Sequence, residues 1–410
     1  ITSPQNNTVA VTATTSAGGN PVIINFTAFS TVGDTATGSF SVSDNDVTAT
    51  ASGNTTATPN GNLLEVNVLP TFNDSAAVTS LQTNTGAVSA VSTGVDISAT
   101  LEDGGATVHE LQGTLSVDQN TVSTTGSANT AVNTLRVADA VAVADDAAAG
   151  SVAITADNSA VVADLFVSNV QDSDTGDTVA TTDTTTIDIT VESVDVSTVL
   201  LEDNRIAATA RGNLSTNTVD TGTGAANLDA SVAVSNYQRV TGSDATATVS
   251  GSTLAIAAGT TVTGSGVDNS TVAIDSNTTS AAATANSTTQ TLNLAANDIV
   301  NGTGLAVLGA DVGTGSATGE ALISNVQDRT TSNVLAANTG GDVTLTATSG
   351  IAGTGTDVID DSTLSVTTNM AEAVAVGNNA SGSMLLEGNT VGGGAGIVSS
   401  QAGDASTTTA

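Results

Sequence analysis

Apolar and polar residues alternate with a period of two along most of this chain. The pattern is clear in residues 9–14, 184–191 and 343–348, where Val, Ile, Leu or Ala alternates with Thr or Asp. Alternation with β-branched residues is typical of strands that bury one face. Clusters of Gly, Asn and Asp separate these segments, as turns do. With only four prolines to interrupt strand pairing, the chain is predicted to be all-β.

A glutamine with a β-branched residue four positions before it recurs along the chain. The glutamines are Gln5, Gln82, Gln171, Gln238, Gln327 and Gln401, and successive members are 77, 89, 67, 89 and 74 residues apart. Such self-similarity is the signature of a repeat architecture. The predicted units are residues 1–77, 78–166, 167–233, 234–322 and 323–396, and residues 397–410 open a sixth unit.

Each complete unit also contains two asparagines nine positions apart. The pairs are Asn45/Asn54, Asn120/Asn129, Asn204/Asn213, Asn277/Asn286 and Asn369/Asn378. An aliphatic residue stands three positions before the first Asn, and Gly or Ala precedes the second. The constant spacing predicts that the first asparagines occupy equivalent turns, with the preceding aliphatic residue directed inward. The unequal unit lengths place the insertions between these signatures, where loops tolerate them.

Two all-β architectures fit such units. One is a repetitive parallel β-solenoid rod, and the alternative is a series of tandem immunoglobulin-like β-sandwich domains. Many inward positions are Ala, Gly, Thr or Val, which favours a narrow solenoid coil over a sandwich core. Stacked Asn side chains also suit a solenoid turn. With coils of roughly 20–28 residues and strands about 4.8 Å apart, three or four coils per unit give a rod of about 70–100 Å.

Composition excludes several classes of function. The formal net charge is −35, from 40 acidic residues and five basic ones, so nucleic acid is not an expected partner. The absence of cysteine excludes disulfides, thiolate metal sites and Cys nucleophiles. No run of 18 apolar residues occurs, so no membrane insertion is expected. The chain begins inside a repeat signature and lacks a signal peptide, which suggests a mature protein or a piece of a longer one.

Candidate sites for chemistry are few. Asp172, Asp174 and Asp177 alternate around a Gly turn and are the best candidate ligands for calcium, although the bidentate Glu of an EF-hand loop is missing. The single histidine, His109, has no recognisable catalytic partners. The adjacent pairs Asp145/Asp146 and Asp360/Asp361 point to opposite faces if they lie in strands, which does not suit glycoside hydrolysis. The chain is therefore not expected to be an enzyme.

Residues 44–54, with the sequence DNDVTATASGN, and the related residues 203–213 carry a resemblance. This acidic, Thr/Ala/Gly/Asn-rich pattern resembles the repetitive β-strand-rich proteins of bacterial cell surfaces, which include large adhesins, surface-layer (S-layer) components and extracellular filaments. The resemblance covers nearly the whole chain and is one of composition and style. It implies an extracellular or cell-surface location and a structural role, and it carries over no catalytic residue.

The expected function is that of an extracellular structural protein whose β-rod assembles into a filament or surface array. Both ends lie in the same signature, so head-to-tail self-association is expected. The alternative is an adhesin stalk that presents a binding domain elsewhere, and a polysaccharide-active solenoid enzyme is third. Surface glycans are a further candidate partner, since Asn-x-Ser/Thr sequons such as Asn25-Phe26-Thr27 are numerous.

Overall fold

The computed structural model describes residues 1–15, 22–27, 35–56, 61–69, 71–101, 110–138, 141–143, 151–154, 159–222, 225–259, 266–300, 305–309, 315–348, 359–403 and 406–410. These residues form strands and turns and contain no helix. We group the strands into layers, each beginning with the strand that carries a repeat glutamine.

The first two layers contain fifteen strands. Layer 1 consists of β1 (Thr2–Asn7), β2 (Val11–Thr14), β3 (Val22–Thr27), β4 (Thr35–Ser43), β5 (Asp46–Thr55), β6 (Asn62–Val66) and β7 (Thr71–Phe72). Layer 2 consists of β8 (Ala76–Asn84), β9 (Val88–Thr93), β10 (Val95–Leu101), β11 (Glu110–Asp118), β12 (Thr121–Val137), β13 (Ala142–Val143), β14 (Ser151–Ile154) and β15 (Ser159–Val162).

The next two layers contain strands in the same order. Layer 3 consists of β16 (Leu165–Asp174), β17 (Thr178–Asp183), β18 (Thr186–Val191), β19 (Ser193–Asp195), β20 (Thr198–Glu202), β21 (Arg205–Asp220) and β22 (Ala225–Asp229). Layer 4 consists of β23 (Val232–Thr241), β24 (Ala245–Ser250), β25 (Thr253–Ala258), β26 (Val267–Asp268), β27 (Thr271–Asp275), β28 (Thr278–Val300), β29 (Leu305–Gly309) and β30 (Gly315–Gly319).

The carboxy-terminal part completes one layer and begins another. Layer 5 consists of β31 (Ala321–Thr330), β32 (Val334–Thr339), β33 (Asp342–Ala347), β34 (Ile359–Asp360), β35 (Thr363–Thr367), β36 (Met370–Glu387) and β37 (Thr390–Val391). Layer 6 holds only β38 (Ala395–Gly403) and β39 (Thr408–Thr409) among the described residues. From layer 2 onward the first strand starts two residues before the predicted unit boundary, and the boundaries themselves stay a prediction.

Strands of successive layers pair in parallel and build the sheets. Sheet A has the order β1-β8-β16-β23-β31-β38, sheet B β2-β9-β17-β24-β32-β39, and sheet C β3-β10-β18-β25-β33. Sheet D contains β4-β11-β20-β27-β35, with β19-β26-β34 extending from β11, and sheet E contains β5-β12-β21-β28-β36. The second half of β28 continues into a short sheet F with β7, β13, β22 and β37.

This pairing is compatible with a β-solenoid. Among the described strands, antiparallel pairing occurs only between β14 and β15 and between β29 and β30. Tandem sandwich domains would pair strands mainly within one unit, whereas here the long ladders join equivalent strands of neighbouring units. The sandwich alternative therefore does not fit the register.

The expected coil size was wrong. Gln5 lies opposite Gln82, so a whole repeat separates neighbouring strands, and each repeat is one layer rather than three or four coils. Five layers at about 4.8 Å per strand span about 25 Å along the stacking direction, far less than the predicted rod. The coil is also wide, which changes its core: large side chains such as Ile97, Leu115 and Ile187 are fully buried inside it. Repeat length alone does not distinguish one wide coil from several narrow ones.

The described residues form five hydrophobic clusters, and two of these are large. The larger lies between sheets B, C, D and E, and the smaller lies between sheet A, the second halves of the long sheet E strands, and sheet F. Both are built from columns in which one aliphatic residue stacks on its equivalent in the next layer, as Leu201 does on Ile274. Parallel, in-register pairing thus turns the repeat into continuous apolar columns.

Candidate assembly interface

The repeat glutamines form one continuous hydrogen-bonded column inside the stack. The side-chain amide of Gln82 donates to Gln5 Oε1 at 2.7 Å, and Gln171, Gln238 and Gln327 each donate to the preceding member at the same distance. Gln401 closes the column with a 2.9 Å bond to Gln327. The four middle glutamines are fully buried. Each glutamine side-chain amide in this column therefore donates to the preceding layer, in the direction of the amino terminus.

The two asparagine signatures form similar columns with the opposite direction. Asn54 donates to Asn129, and the bonds continue through Asn213 and Asn286 to Asn378 at 2.8–2.9 Å. The first asparagines, from Asn45 to Asn369, are linked in the same way at 2.8–3.0 Å. Each asparagine amide donates toward the carboxy-terminal layer. The prediction that the first asparagines occupy equivalent turns is confirmed, whereas the second asparagines lie within strands.

The glutamine column and the second asparagine column are also joined by hydrogen bonds from each side chain to the backbone beside the other column. The second amide hydrogen of Gln171 is donated to the carbonyl oxygen of Leu214, the residue after Asn213. Asn129 in turn donates to the carbonyl oxygen of Asp172, the residue after Gln171. The same reciprocal pattern recurs in the other layers. Because a buried amide is costly unless its hydrogen bonds are made, this exchange requires both residue types in every layer.

The turn before the first asparagine column adopts a left-handed backbone in all five layers. The residues at this position are Asp44, Gln119, Asp203, Ser276 and Thr368, with φ between 55° and 57°. Non-glycine residues in this conformation carry strain. The following asparagine offsets that strain, since its amide donates to backbone and to the next layer, as Asn204 does to Val117 and Asn277.

Because the glutamine and asparagine columns run in opposite directions, the two ends of the stack present complementary hydrogen-bond donors and acceptors. At the amino-terminal end, Asn45 and Asn54 are the first members of their columns and present amide oxygens, while Gln5 presents an amide nitrogen. At the carboxy-terminal end, Asn378 accepts from Asn286, so its column ends on an amide nitrogen, and Gln401 donates to Gln327, so its column ends on an amide oxygen. Donors at one end therefore correspond to acceptors at the other.

Backbone edges accompany these amides. Among the described residues, strands β1 to β5 pair only with layer 2, and β33, β35 and β36 pair only with layer 4. An unpaired edge presents N–H and C=O groups that can pair with another chain. The described ends of the stack are thus suited to strand addition.

Acidic columns run along the outside of sheet D. Asp118, Glu202 and Asp275 lie directly opposite one another in successive strands. Burial, and then the carboxylates of Asp203 and Asp118, raise the pKa of Glu202. A second column contains Asp195, Asp268 and Asp360. Like charges stacked at the strand spacing repel, so these columns oppose stacking at low salt.

The candidate calcium ligands lie near one another in sequence, and two of the three have other partners. Asp172 forms a salt bridge with Arg239, at 2.6 Å between Oδ2 and Nη2. Asp177 Oδ1 accepts a hydrogen bond from the backbone of Asp244. Asp174 ends β16 beside the Thr175 turn. Within the described ranges no three His, Asp or Glu side chains are arranged to hold a metal ion, so calcium binding stays a prediction without added support.

The remaining candidates add no site to the described part of the chain. His109 and the pair Asp145/Asp146 lie outside the described residues. Asp360 ends β34 and Asp361 forms the following left-handed turn, both at the exposed edge of layer 5. In the part of the chain that is described, no helix is long and apolar enough to cross a membrane.

Two features were missed from the sequence. Asn62, Asn133 and Asn217 form a third asparagine column. In layers 2 and 3 its member lies four positions after the second asparagine of the nine-residue pair. In layer 1 an insertion lengthens this spacing, so Asn62 does not stand out in the sequence. The second missed feature is Arg329. Its Nη1 donates to Thr407 O and Thr408 Oγ1 and so attaches β39 to the stack. Burial lowers the pKa of its guanidinium.

No protein-family model, curated protein or solved structure matches this chain.

Proposed function

We propose that this chain is a structural protein: a β-solenoid whose copies stack head to tail into a filament or surface array outside the cell. The observation that carries the proposal is the matched polarity of the two ends. Asn378 at one end has an amide donor for the position that the Asn54 oxygen of a second copy would occupy. The contact would repeat the one that already joins Asn286 to Asn378 at 2.9 Å.

The strand edges at the two described ends of the stack favour assembly over a stalk. Such edges present unpaired N–H and C=O groups that can pair with a second copy. Head-to-tail contacts that do not close on themselves produce filaments.

The extracellular setting is part of the proposal. A net charge of −35 and the absence of cysteine suit a hydrated surface layer that does not depend on redox conditions. Glycans and calcium are further partners of the proposed array, and calcium would reduce repulsion between the acidic columns.

Sedimentation velocity over a wide range of protein concentration, followed by electron microscopy, tests the proposal. We expect end-to-end polymers whose strands run perpendicular to the polymer axis, with assembly promoted by salt because it screens the negative charge. The proposal would be contradicted if the intact chain stayed monomeric at every concentration and chains shortened by one or two terminal strands did so too.

A further inference from the structure

The glutamine and asparagine columns bind each layer to the next but do not distinguish one layer from another. Neighbouring layers supply the same residue type at each of these positions, as Gln82 and Gln171 do, and as Asn213 and Asn286 do. A layer that paired with the next layer but one would form the same bonds, because a repeat protein is stabilised by contacts between neighbours of any order. The order of the layers must therefore be specified by residues that differ between them.

One set of such residues lies on sheet A, at the position after the repeat glutamine. Asp172, Arg239 and Asp328 lie directly opposite one another in layers 3, 4 and 5. Arg239 donates two hydrogen bonds to Asp172, from Nε to Oδ1 at 3.1 Å and from Nη2 to Oδ2 at 2.6 Å. Asp328 is the next member of the row on the other side of Arg239. The row thus alternates in charge across three layers.

A second set with the same alternation lies on sheet E. Glu65, Arg136 and Asp220 lie directly opposite one another in layers 1, 2 and 3. The chain has only five basic residues, and two of them thus occupy rows in which the preceding and the following layer both supply a carboxylate. We call these two sets the charge triplets. Together they include a residue from each of layers 1 to 5.

We infer that the charge triplets specify the order in which the layers stack. If layer 4 were looped out of the stack, Asp172 would lie opposite Asp328, and if layer 2 were looped out, Glu65 would lie opposite Asp220. Opposite charges on neighbouring strands stabilise a sheet, whereas like charges directly opposite destabilise it. Misassembly is a characteristic failure of repeat proteins, and the triplets oppose it. They act within one chain and do not depend on stacking between copies.

Pairs of introduced cysteines on sheet B report which layers are neighbours, since the chain itself contains no cysteine. Thr181 and Ala337 belong to one row in layers 3 and 5, with Thr248 between them. Their Cα atoms are therefore about 9.6 Å apart, beyond the reach of a disulfide. A disulfide between Thr181→Cys and Ala337→Cys forms only when layer 4 is skipped. Thr14→Cys with Thr181→Cys reports in the same way on skipping of layer 2.

A neutral variant of the sheet A triplet should permit skipping while keeping side chains of similar size. Asp172→Asn/Arg239→Gln/Asp328→Asn, refolded from urea and then oxidised, should give about ten-fold more of the disulfide between layers 3 and 5 than the original chain with the same cysteines. The disulfide between layers 1 and 3 should stay at its original level. Reversing all three charges preserves the alternation and should leave both disulfides at that level.

The second triplet and an unrelated arginine supply the controls. Glu65→Gln/Arg136→Gln/Asp220→Asn should increase only the disulfide between layers 1 and 3. Arg211→Gln should increase neither disulfide, because the residues opposite Arg211 in the neighbouring layers are uncharged. High salt should reduce the difference between the original chain and each neutral variant, because it screens exposed charges.

Non-reducing electrophoresis and peptide mass spectrometry measure each disulfide, and circular dichroism verifies the strand content of each variant. The inference would be overturned if the neutral variant of the sheet A triplet formed no more of the disulfide between layers 3 and 5 than the original chain. An increase of both disulfides in either neutral variant would also overturn it, because that result indicates a general loss of stability. If a neutral variant did not fold, increased skipping in the charge-reversed variant would have the same consequence.

Discussion

Equivalent residues in the middle and at the end of the stack have different surroundings. The aliphatic column before the first asparagines contains Val42, Val117, Leu201, Ile274 and Val366. The three middle members are 0% exposed and Val42 is 7% exposed, whereas Val366 in layer 5 is 48% exposed. The residue type is nearly constant, so the exposure of Val366 reflects the lack of a following layer among the described residues, whereas Val42, which lacks a preceding layer, stays nearly buried.

The carboxy-terminal face shows the same difference over a wider area. Leu364, Met370, Val374 and Leu385 are all exposed large apolar side chains of layer 5. Burial of apolar surface stabilises by about 25 cal/mol per Å². A layer added at this face would therefore gain both hydrophobic burial and ladder hydrogen bonds.

The largest contrast is expected from the second asparagine column. Asn213 is fully buried and donates to Arg239 O and Asn286 Oδ1, both at 2.8 Å. Asn213→Leu should lower the free energy of unfolding by about 3 kcal/mol, because it leaves several buried polar groups unpaired. Asn378→Leu, in layer 5, should cost less than about 1 kcal/mol. Urea unfolding followed by circular dichroism measures both, and equal losses would refute the contrast.

The aliphatic column offers a pair of identical substitutions. Val117→Ala removes two buried methyl groups and should cost about 2 kcal/mol through lost transfer energy and a cavity. Val366→Ala removes the same atoms from a half-exposed site and should cost less than about 1 kcal/mol. Conditions that promote assembly provide the control. Stacking buries Val366, so the stability losses from the two substitutions should then become more alike. Thermal unfolding at low and high protein concentration checks this.

A pH-dependent difference is expected at Asp188 in layer 3. Burial, followed by repulsion from Asp96, raises its pKa from 3.8 to about 6. The folded state then binds a proton more tightly than the unfolded state, so ionisation destabilises the protein above pH 6, and this penalty disappears below the unfolded pKa of 3.8.

The variant Asp188→Asn should be more stable than the original by about 1–2 kcal/mol at pH 8, after allowance for partial exposure, and the gain should vanish at low pH. The exposed Asp342 in layer 5 supplies the control, since Asp342→Asn should change stability little at either pH. A gain at pH 8 that persists unchanged at pH 3 would contradict the assignment to Asp188 ionisation.

The smallest effect concerns the outer acidic column. Asp268 has a carboxylate on both sides, Asp195 and Asp360, whereas Asp360 ends the column in the described stack. Asp268→Asn should stabilise by a few tenths of a kcal/mol, roughly twice the effect of Asp360→Asn. Both gains should shrink in high salt, where exposed charges are screened. Salt-independent gains would show that repulsion is not their cause.

The sequence predicted the parts of the structure that every layer must repeat. Gln171 and Asn213 were found because the same reciprocal hydrogen bonds recur in every layer and keep these residue types constant. The turn at Asn204 recurs with the same left-handed backbone before it. The size of the coil was not predictable, since the same spacing arises from one wide coil or several narrow ones. Arg329 was missed because it occurs in one layer only, at a position where the preceding layers have Ser173 and Val240.

The separation along the chain between paired strands has a kinetic consequence. Gln5 and Gln82 are 77 positions apart, and Asn277 and Asn369 are 92 apart. Because contacts between distant positions slow folding, we expect slow refolding in which a completed layer serves as the template for the next. Refolding rates of chains shortened by whole layers would reveal this: after the first two layers have formed, each further layer should add at a similar rate, as growth follows nucleation in a crystal.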